Sequence, residues 1–216
     1  MSMEPYSDAT EHLEDELGRY LPLRAERINA EQEGRLASHY EPDRTTIGEK
    51  QRPAVVEAER RARTLRRREN EVRAEIDARL EATRKMQGEA GIDLDRLNHG
   101  LTFDARLVLL ALTAAALGMS QDVLGGLGRG FWDTLAVSEV MMVLDARSIV
   151  DRLKARRLLM DLAMRNLIIL DYRWKQVAPQ DFSACSVALT RQAFSVILND
   201  PELENEGIGS DNTGDH

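Results

Sequence analysis

The chain has 216 residues, of which 31% are charged and 5% are aromatic, and its formal net charge is −8. This acidic balance argues against a general nucleic-acid binder, because neutralising phosphates requires a basic surface. Cys185 is the single cysteine, which excludes an internal disulfide, and residues 1–12 lack the basic and apolar regions of a signal peptide. These features predict a cytoplasmic protein with one globular core.

The first 53 residues are predicted to form a helical segment that ends in a linker. Leucines recur at spacing four up to Pro22, which is expected to break the helix before it resumes. Two prolines and one glycine between Glu41 and Pro53 then mark an exposed connection.

A long charged helix is predicted over residues 54–90. The stretch from Ala54 to Gln87 contains neither glycine nor proline and is rich in Arg, Glu and Ala, which are strong helix formers. Four apolar residues lie on one stripe of this helix, and self-association through them as a short coiled coil is left open. The stripe consists of Leu65, Val72, Ile76 and Leu80.

The same helix carries the strongest basic run of the chain, between Glu59 and Asn70. One interpretation is a solvated helix face, and the other is an electrostatic contact with an acidic partner or a nucleic-acid backbone. The arginines concerned are Arg60, Arg61, Arg63, Arg66, Arg67 and Arg68.

The most apolar part of the sequence, from Phe103 to Gly118, predicts the central helix of the globular domain. No charge occurs from Leu107 to Gln121, but this stretch is too short to cross a membrane, so a buried core helix and no membrane association are expected. Thr102 is placed to cap the helix and Gly118 to end it.

Three further helix starts are predicted from capping residues. Ser120 is expected to cap a short helix, and Asp133 a helix over Thr134–Asp145. Ser148 and Asp151 have the spacing of a capping box and begin the next helix.

The helix that begins at Ser148 carries Arg152, Lys154, Arg156 and Arg157. Ile149 and Leu153 are placed on it so that the last three of these basic residues point outward. A third helix followed by a β-hairpin is a candidate DNA recognition helix. The competing interpretation is a solvated positive face.

A hairpin and a final helix complete the predicted domain. The aliphatic and aromatic content of Asn166–Trp174 and of Cys185–Leu189 predicts two paired strands. The loop Lys175–Asp181 between them would form a wing, and Thr190 caps the last helix.

The sequence therefore predicts a mainly α protein: a helical domain with a small two-stranded β-hairpin, winged-helix-like, preceded by a long charged helix. The expected segments are 1–53, the helical region and linker; 54–90, the long helix; 91–200, the globular domain; and 201–216, a disordered acidic tail.

No catalytic or metal-binding pattern is apparent. The four histidines lie far apart in sequence, and none pairs with another or with Cys185 at the spacing of a zinc site. The glycine-rich stretch Gly125–Gly130 matches neither nucleotide-binding glycine motif. We therefore expect a protein that is not an enzyme and uses no cofactor or metal.

Three segments resemble a known arrangement: IDLDRLNHGLTFDARLVLLALTAAALG, DRLKARRLLMDLAMRNLIILD and DFSACSVALTRQAFSVILND. Their order is similar to the winged-helix-like region that precedes the ATPase module in large bacterial AAA+ ATPases. The phosphate-binding loop and acidic metal-binding strand of that module are missing from this sequence. The resemblance therefore implies an interaction module and transfers no active-site residue.

Two functions follow from these features. The first is a protein-interaction or adaptor module that binds an AAA+ ATPase or its client complex, with its arginine-rich helix as a contact surface. The second is a winged-helix DNA-binding regulator, in which Arg152, Lys154, Arg156 and Arg157 contact phosphates or bases.

Overall fold

The computed structural model describes residues 4–39, 53–87, 101–125, 134–171, 182, 185–198, 200 and 202. Helices and a small three-stranded antiparallel sheet make up this part of the chain, which confirms the predicted mainly α class. Among these residues, no helix combines the length and the apolar character needed to cross a membrane. Most of the predicted linker, the predicted wing loop and nearly all of the acidic tail lie outside the described residues.

The N-terminal region is helical from residue 9 to residue 39. Helix α1, Ala9–Asp15, is capped by the Asp8 carboxylate, and a π-helical turn over Glu16–Tyr20 leads directly into α2, Leu21–His39. The predicted break at Pro22 is therefore wrong. Proline is tolerated at this position because it lies in the first turn of α2. The residues just before it form the π-helical turn, which is wider than a turn of α-helix.

Helix α3 spans Pro53–Gln87, which confirms the predicted long helix, and runs antiparallel to the preceding helices. Ala58 lies against Gly34 of α2, and further along α3 Arg79 pairs with Asp15 at 2.9 Å. A Cβ at Gly34 would lie only 3.3 Å from that of Ala58, so this glycine permits the close approach of the two helices.

Helix α4, Phe103–Ala116, is the centre of the fold. The Thr102 hydroxyl accepts a hydrogen bond from the Ala105 N–H at 3.2 Å, and Gly118 ends the helix with a φ of 71°, so both predicted boundaries are confirmed. All side chains from residue 107 to residue 115 are buried. A helix that is apolar on every side must be covered on every side.

The N-terminal helices supply part of that cover. Their residues in the main core are Leu13, Leu17, Leu21, Ala25 and Ile28. The core therefore contains side chains from both sides of residue 91, where the globular domain was expected to begin. The four segment boundaries given above stay predictions.

The apolar stripe of α3 is used within the chain. Three of its members, Val72, Ile76 and Leu80, are buried in a small cluster completed by Tyr6, Tyr20 and Leu107. These three side chains are therefore unavailable to a second copy, which removes most of the surface from which self-association was inferred.

After α4 the chain forms a short helix, α5, over Ser120–Leu124. Ser120 is the first residue of this helix and Met119 occupies the capping position without a side-chain hydrogen bond. The predicted cap at Ser120 is therefore wrong. The preceding turn forms instead through the backbone, where the Met119 N–H donates to the Ala114 carbonyl at 2.7 Å.

Helix α6 spans Val137–Val143 and begins three residues later than predicted. Leu135–Ala136 form strand β1, so this segment is extended rather than helical. The Glu139 carboxylate accepts a hydrogen bond from the Ala136 N–H at 2.7 Å and caps α6. The expected cap, Asp133, lies outside the described residues.

The predicted helix, hairpin and final helix follow in order. The Thr190 hydroxyl accepts a hydrogen bond from the Ala193 N–H at 3.1 Å and caps the last of them, as predicted. The elements are α7, Ile149–Met164; β2, Ile168–Asp171; β3, Ser186–Leu189; and α8, Arg191–Leu198.

The sheet has three strands in the order β1-β3-β2, rather than the predicted two. Strands β2 and β3 pair antiparallel with Ile168 opposite Leu189, and β1 pairs with β3 at Leu135 opposite Val187. With two residues, β1 is too short to show the alternating pattern of a strand. Strand β2 begins at Ile168 and not at Asn166, where the strand was predicted to start. Asn166 has a φ of 58° and belongs to the turn that ends α7.

A buried carboxylate joins α3 to the N-terminal region and to α4. The Glu16 carboxylate lies 2.9 Å from Arg73, 3.5 Å from Arg106 and 3.4 Å from the His12 imidazole. Burial raises the pKa of Glu16, but these three neighbours outweigh that effect and hold the pKa below its ordinary value. Glu16 therefore stays charged inside the structure.

A second ionic cluster joins α2 to α3 and to the turn after α6. Glu31 accepts hydrogen bonds from Arg27 at 3.0 Å, from Arg66 at 2.7 Å and from Arg147. Burial raises the pKa of Glu31, but these hydrogen bonds outweigh it and lower the pKa to about 2. Arg66, one of the predicted interaction residues, is thus part of an internal cluster.

We predict that Glu16→Gln lowers the free energy of unfolding by about 3 kcal/mol, because it leaves two arginines without their buried partner. Urea unfolding followed by circular dichroism measures this change. Glu71→Gln is the matched control: it removes an exposed i,i+4 partner of Arg67 at 2.8 Å and should cost less than about 0.5 kcal/mol. Equal losses for the two variants would contradict the structural role of Glu16.

We also predict that stability falls as the pH drops from about 5 towards 2. The pKa of Glu31 is about 2 in the folded chain and about 4.3 in an unfolded one, so the unfolded state binds more protons in this range. Urea midpoints measured at several pH values test this. Glu31→Gln should be less stable near neutral pH and should lose less on acidification; a loss equal to that of the unsubstituted chain would count against the prediction.

Candidate interaction surface

Helix α7 begins with the predicted capping box. The Ser148 hydroxyl accepts a hydrogen bond from the Asp151 N–H at 3.1 Å and donates one to the Asp151 carboxylate at 2.6 Å. Hydrogen bonds from Ser148 lower the pKa of Asp151, which favours its charged form at the positive end of the helix dipole. The first turn of α7 is therefore fixed in place and carries a negative charge.

One face of α7 packs on the core. Ala155, Leu159 and Leu162 recur at spacings of four and three and are buried. Leu159 and Leu162 belong to the main core, together with Ile168 of β2 and Val187 of β3. This packing fixes which side chains of α7 point into solvent.

A second apolar stripe of α7 points outward. Ile149, Leu153 and Met164 are 80%, 50% and 77% exposed, and Val150 and Met160 are exposed beside them. At 3.6 residues per turn, Ile149, Leu153, Met160 and Met164 lie within a sector of about 60°. We call the five residues the α7 outer face.

The outer face changes the interpretation of the basic residues on this helix. Lys154, Arg156 and Arg157 are exposed as predicted, but Ile149 and Leu153 point outward with them. The outward surface of α7 is therefore both apolar and basic.

The basic residues of α7 differ in their contacts. The Arg156 guanidinium lies over the Phe182 ring, 4.8 Å from its centroid. Arg152, Lys154 and Arg157 are exposed and form no salt bridge with any other described residue. Three cationic groups of α7 are therefore exposed and have no salt-bridge partner in the described part of the chain.

Half of the predicted α3 arginines are engaged within the chain. Arg61 pairs with Glu33 at 3.6 Å, Arg67 pairs with Glu71 at 2.8 Å, and Arg66 joins the Glu31 cluster. The other three are exposed and have no salt bridge to the residues that the structure describes: Arg60, Arg63 and Arg68. The basic run is therefore partly structural.

Arg66 of α3 and Lys154 of α7, two of the predicted interaction residues, line one cleft. The cleft has a volume of about 710 Å³; Arg66 and Asn70 form its α3 wall, and Lys154 and Leu158 form its α7 wall. The α7 outer face is not part of it, and the remaining predicted basic residues do not line it.

The cleft is not an anion site. Four basic and four acidic side chains line it, so their charges cancel. Among its lining residues, Arg24 and Arg27 both form salt bridges with Glu69, at 3.0 and 2.5 Å. Across the described ranges, no three His, Cys, Asp or Glu side chains come close enough together to hold a metal ion.

The sequence contained a signal for the outer face that the first interpretation missed. Ala155, Leu159 and Leu162 form one helical stripe, and Ile149, Leu153, Met160 and Met164 form another. Ala155, Leu159 and Leu162 of the first stripe are buried, whereas Ile149, Leu153 and Met164 of the second are exposed.

Comparison with known proteins agrees with this architecture. The family model described as "Winged helix domain, variant" matches residues 1–206. No curated protein and no solved structure matches the chain. The winged-helix part of the resemblance is thus confirmed, whereas its link to AAA+ ATPases stays a prediction. Because the match spans nearly the whole sequence and includes the N-terminal helices, the chain belongs to the winged helix domain family, in its variant form.

Proposed function

We propose that this chain is a non-enzymatic protein-interaction module that binds its partner through the α7 outer face. The observation that supports this most is the exposure of Ile149, Leu153 and Met164 along one side of a helix. Burying one such side chain contributes about 1.5–3 kcal/mol, and exposed apolar patches mark interaction sites.

The first turn of α7 favours a protein partner over DNA. A DNA recognition helix contacts base edges with its N-terminal residues. Base edges present hydrogen-bond donors and acceptors, so polar side chains are needed to read them. At this position α7 exposes Ile149 and Val150. Asp151 beside them would repel phosphates, and the net charge of −8 adds to that repulsion.

A winged-helix DNA-binding regulator is the second candidate function. The observation that favours it is the set of three exposed cations on α7, Arg152, Lys154 and Arg157, which have no salt bridge within the described residues. They could contact phosphates on either side of a groove. They would equally suit the acidic rim of a protein interface.

The partner that we propose is an AAA+ ATPase or its client complex in the cytoplasm. The resemblance of three sequence segments to the region before the ATPase module of such proteins supports this choice. The exposed arginines of α3, Arg60, Arg63 and Arg68, would supply a second electrostatic contact with an acidic surface.

Site-specific photo-crosslinking in the native host tests the proposed function. With a photoreactive residue at Ile149 in the full-length chain, we expect a protein adduct, because this side chain would lie within the interface. Adding Leu153→Asp should abolish the adduct, since a carboxylate cannot be buried there without a partner. The matched control is Leu36→Asp, a change at an apolar side chain of α2 that is 56% exposed, which should preserve the adduct.

DNA binding by the same variants distinguishes the second candidate. An adduct that persists in Leu153→Asp would contradict the proposed function. Specific DNA binding would also contradict it, if Arg152→Ala and Arg157→Ala together weaken that binding at least about tenfold and Leu153→Asp leaves it unchanged.

A further inference from the structure

We infer that the segment recognised by the α7 outer face is an acidic amphipathic α-helix of the partner protein that lies along α7. This inference rests on the proposed function and adds the chemical class of the partner segment. It is carried by the spacing of the apolar residues and by the charges that border them.

The apolar residues have the spacing of a helix-packing surface. From Ile149 to Met164 the outer face extends over about 22 Å, at 1.5 Å per residue. The intervals between Ile149, Leu153 and Met164 are four and eleven residues. This is the spacing at which side chains of one helix fit between those of another, so a partner helix of about four turns would cover the stripe.

Basic residues border this stripe on both sides. By helical geometry Arg152 and Arg156 lie along one side of it, and Arg157 and Lys154 lie along the other. On the same helix Asp161 is already paired with Arg165 at 3.0 Å. The border is therefore positive, and a helix with Glu or Asp beside its apolar stripe matches it.

A second copy of the chain does not match this surface. Arg156 and Arg157 flank the stripe at its midpoint, halfway between Ile149 and Met164. In a two-fold antiparallel pairing of α7 with its copy, four guanidinium groups would meet at the symmetry axis. Like charges in one interface cost several kcal/mol, so the two-fold dimer is disfavoured.

Nucleic acid does not match it either. The centre of the surface is apolar, and phosphates would have to give up water without gaining a hydrogen bond from Ile149, Leu153 or Met164. A partner with both apolar and acidic side chains uses the whole surface.

Selection from a displayed library of about 20-residue helical peptides tests the inference. The full-length chain serves as the target, and peptides that also bind Leu153→Asp are removed by counter-selection. We expect the enriched peptides to combine apolar residues at spacings of three and four with a net negative charge. Thermal unfolding followed by circular dichroism shows whether each variant retains the fold.

Affinities of a synthesised selected peptide give the quantitative test. Leu153→Asp should weaken binding about 30-fold, as for a central interface residue, and Leu36→Asp should leave it unchanged. Arg152→Glu should weaken binding about tenfold, and replacing the opposing peptide Glu by Lys should restore it. Binding should also weaken as salt is raised.

The outcomes separate the inference from the proposed function. Enriched peptides that depend on Leu153 but are neutral or basic would overturn the inference and leave the protein-binding face in place. A selection that yields no Leu153-dependent peptide would overturn both. Failure of the charge exchange at Arg152 would overturn the assignment of acidic residues to the partner.

Discussion

The burial of α4 on all sides is the constraint on which the rest of the structure depends. A single sheet or helix can cover only part of a helix surface, so several elements must surround it. The hairpin, β1, α6, α7 and α8 cover it from the C-terminal part of the chain, and α1 and α2 cover it from the N-terminal part. The N-terminal helices are thus part of the fold around α4, in agreement with a family match that extends over them.

Helix α3 is attached in a different way. Its largest buried apolar side chains lie in a short stripe around Ile76. Glu16, Glu31 and Glu69 form ion pairs with arginines across its interface with the N-terminal helices. Such buried ion pairs contribute little net stability relative to apolar packing, but breaking one is costly, so they specify the position of α3 more than they strengthen the fold. The same pairs engage part of the basic run, which is why that run is a smaller interaction surface than its composition implies.

Local signals made much of the fold predictable from sequence. The caps at Thr102, Ser148 and Thr190 and the paired strands depend on neighbouring residues, and the structure places them as expected. The break at Pro22 and the start of α6 at Thr134 were predicted wrongly because a π-helical turn and a two-residue strand leave no distinct sequence pattern. The outer face was missed for another reason. Tertiary packing decides which of the two apolar stripes of α7 faces the core, and the sequence of a single helix does not encode that packing.

The two apolar faces of α7 connect fold and function, because the inner face holds the helix on α4 and its sheet while the outer face remains for a partner. Methyl NMR of the full-length chain, titrated with a helical peptide selected for binding to it, tests this division most directly. We expect the methyl signals of Ile149, Val150, Leu153 and Met164 to shift, and those of the exposed Leu36 and Met86 to stay unchanged. Shifts confined to Leu36 or Met86, with the α7 methyls unaffected, would contradict the assignment of the outer face as the binding surface.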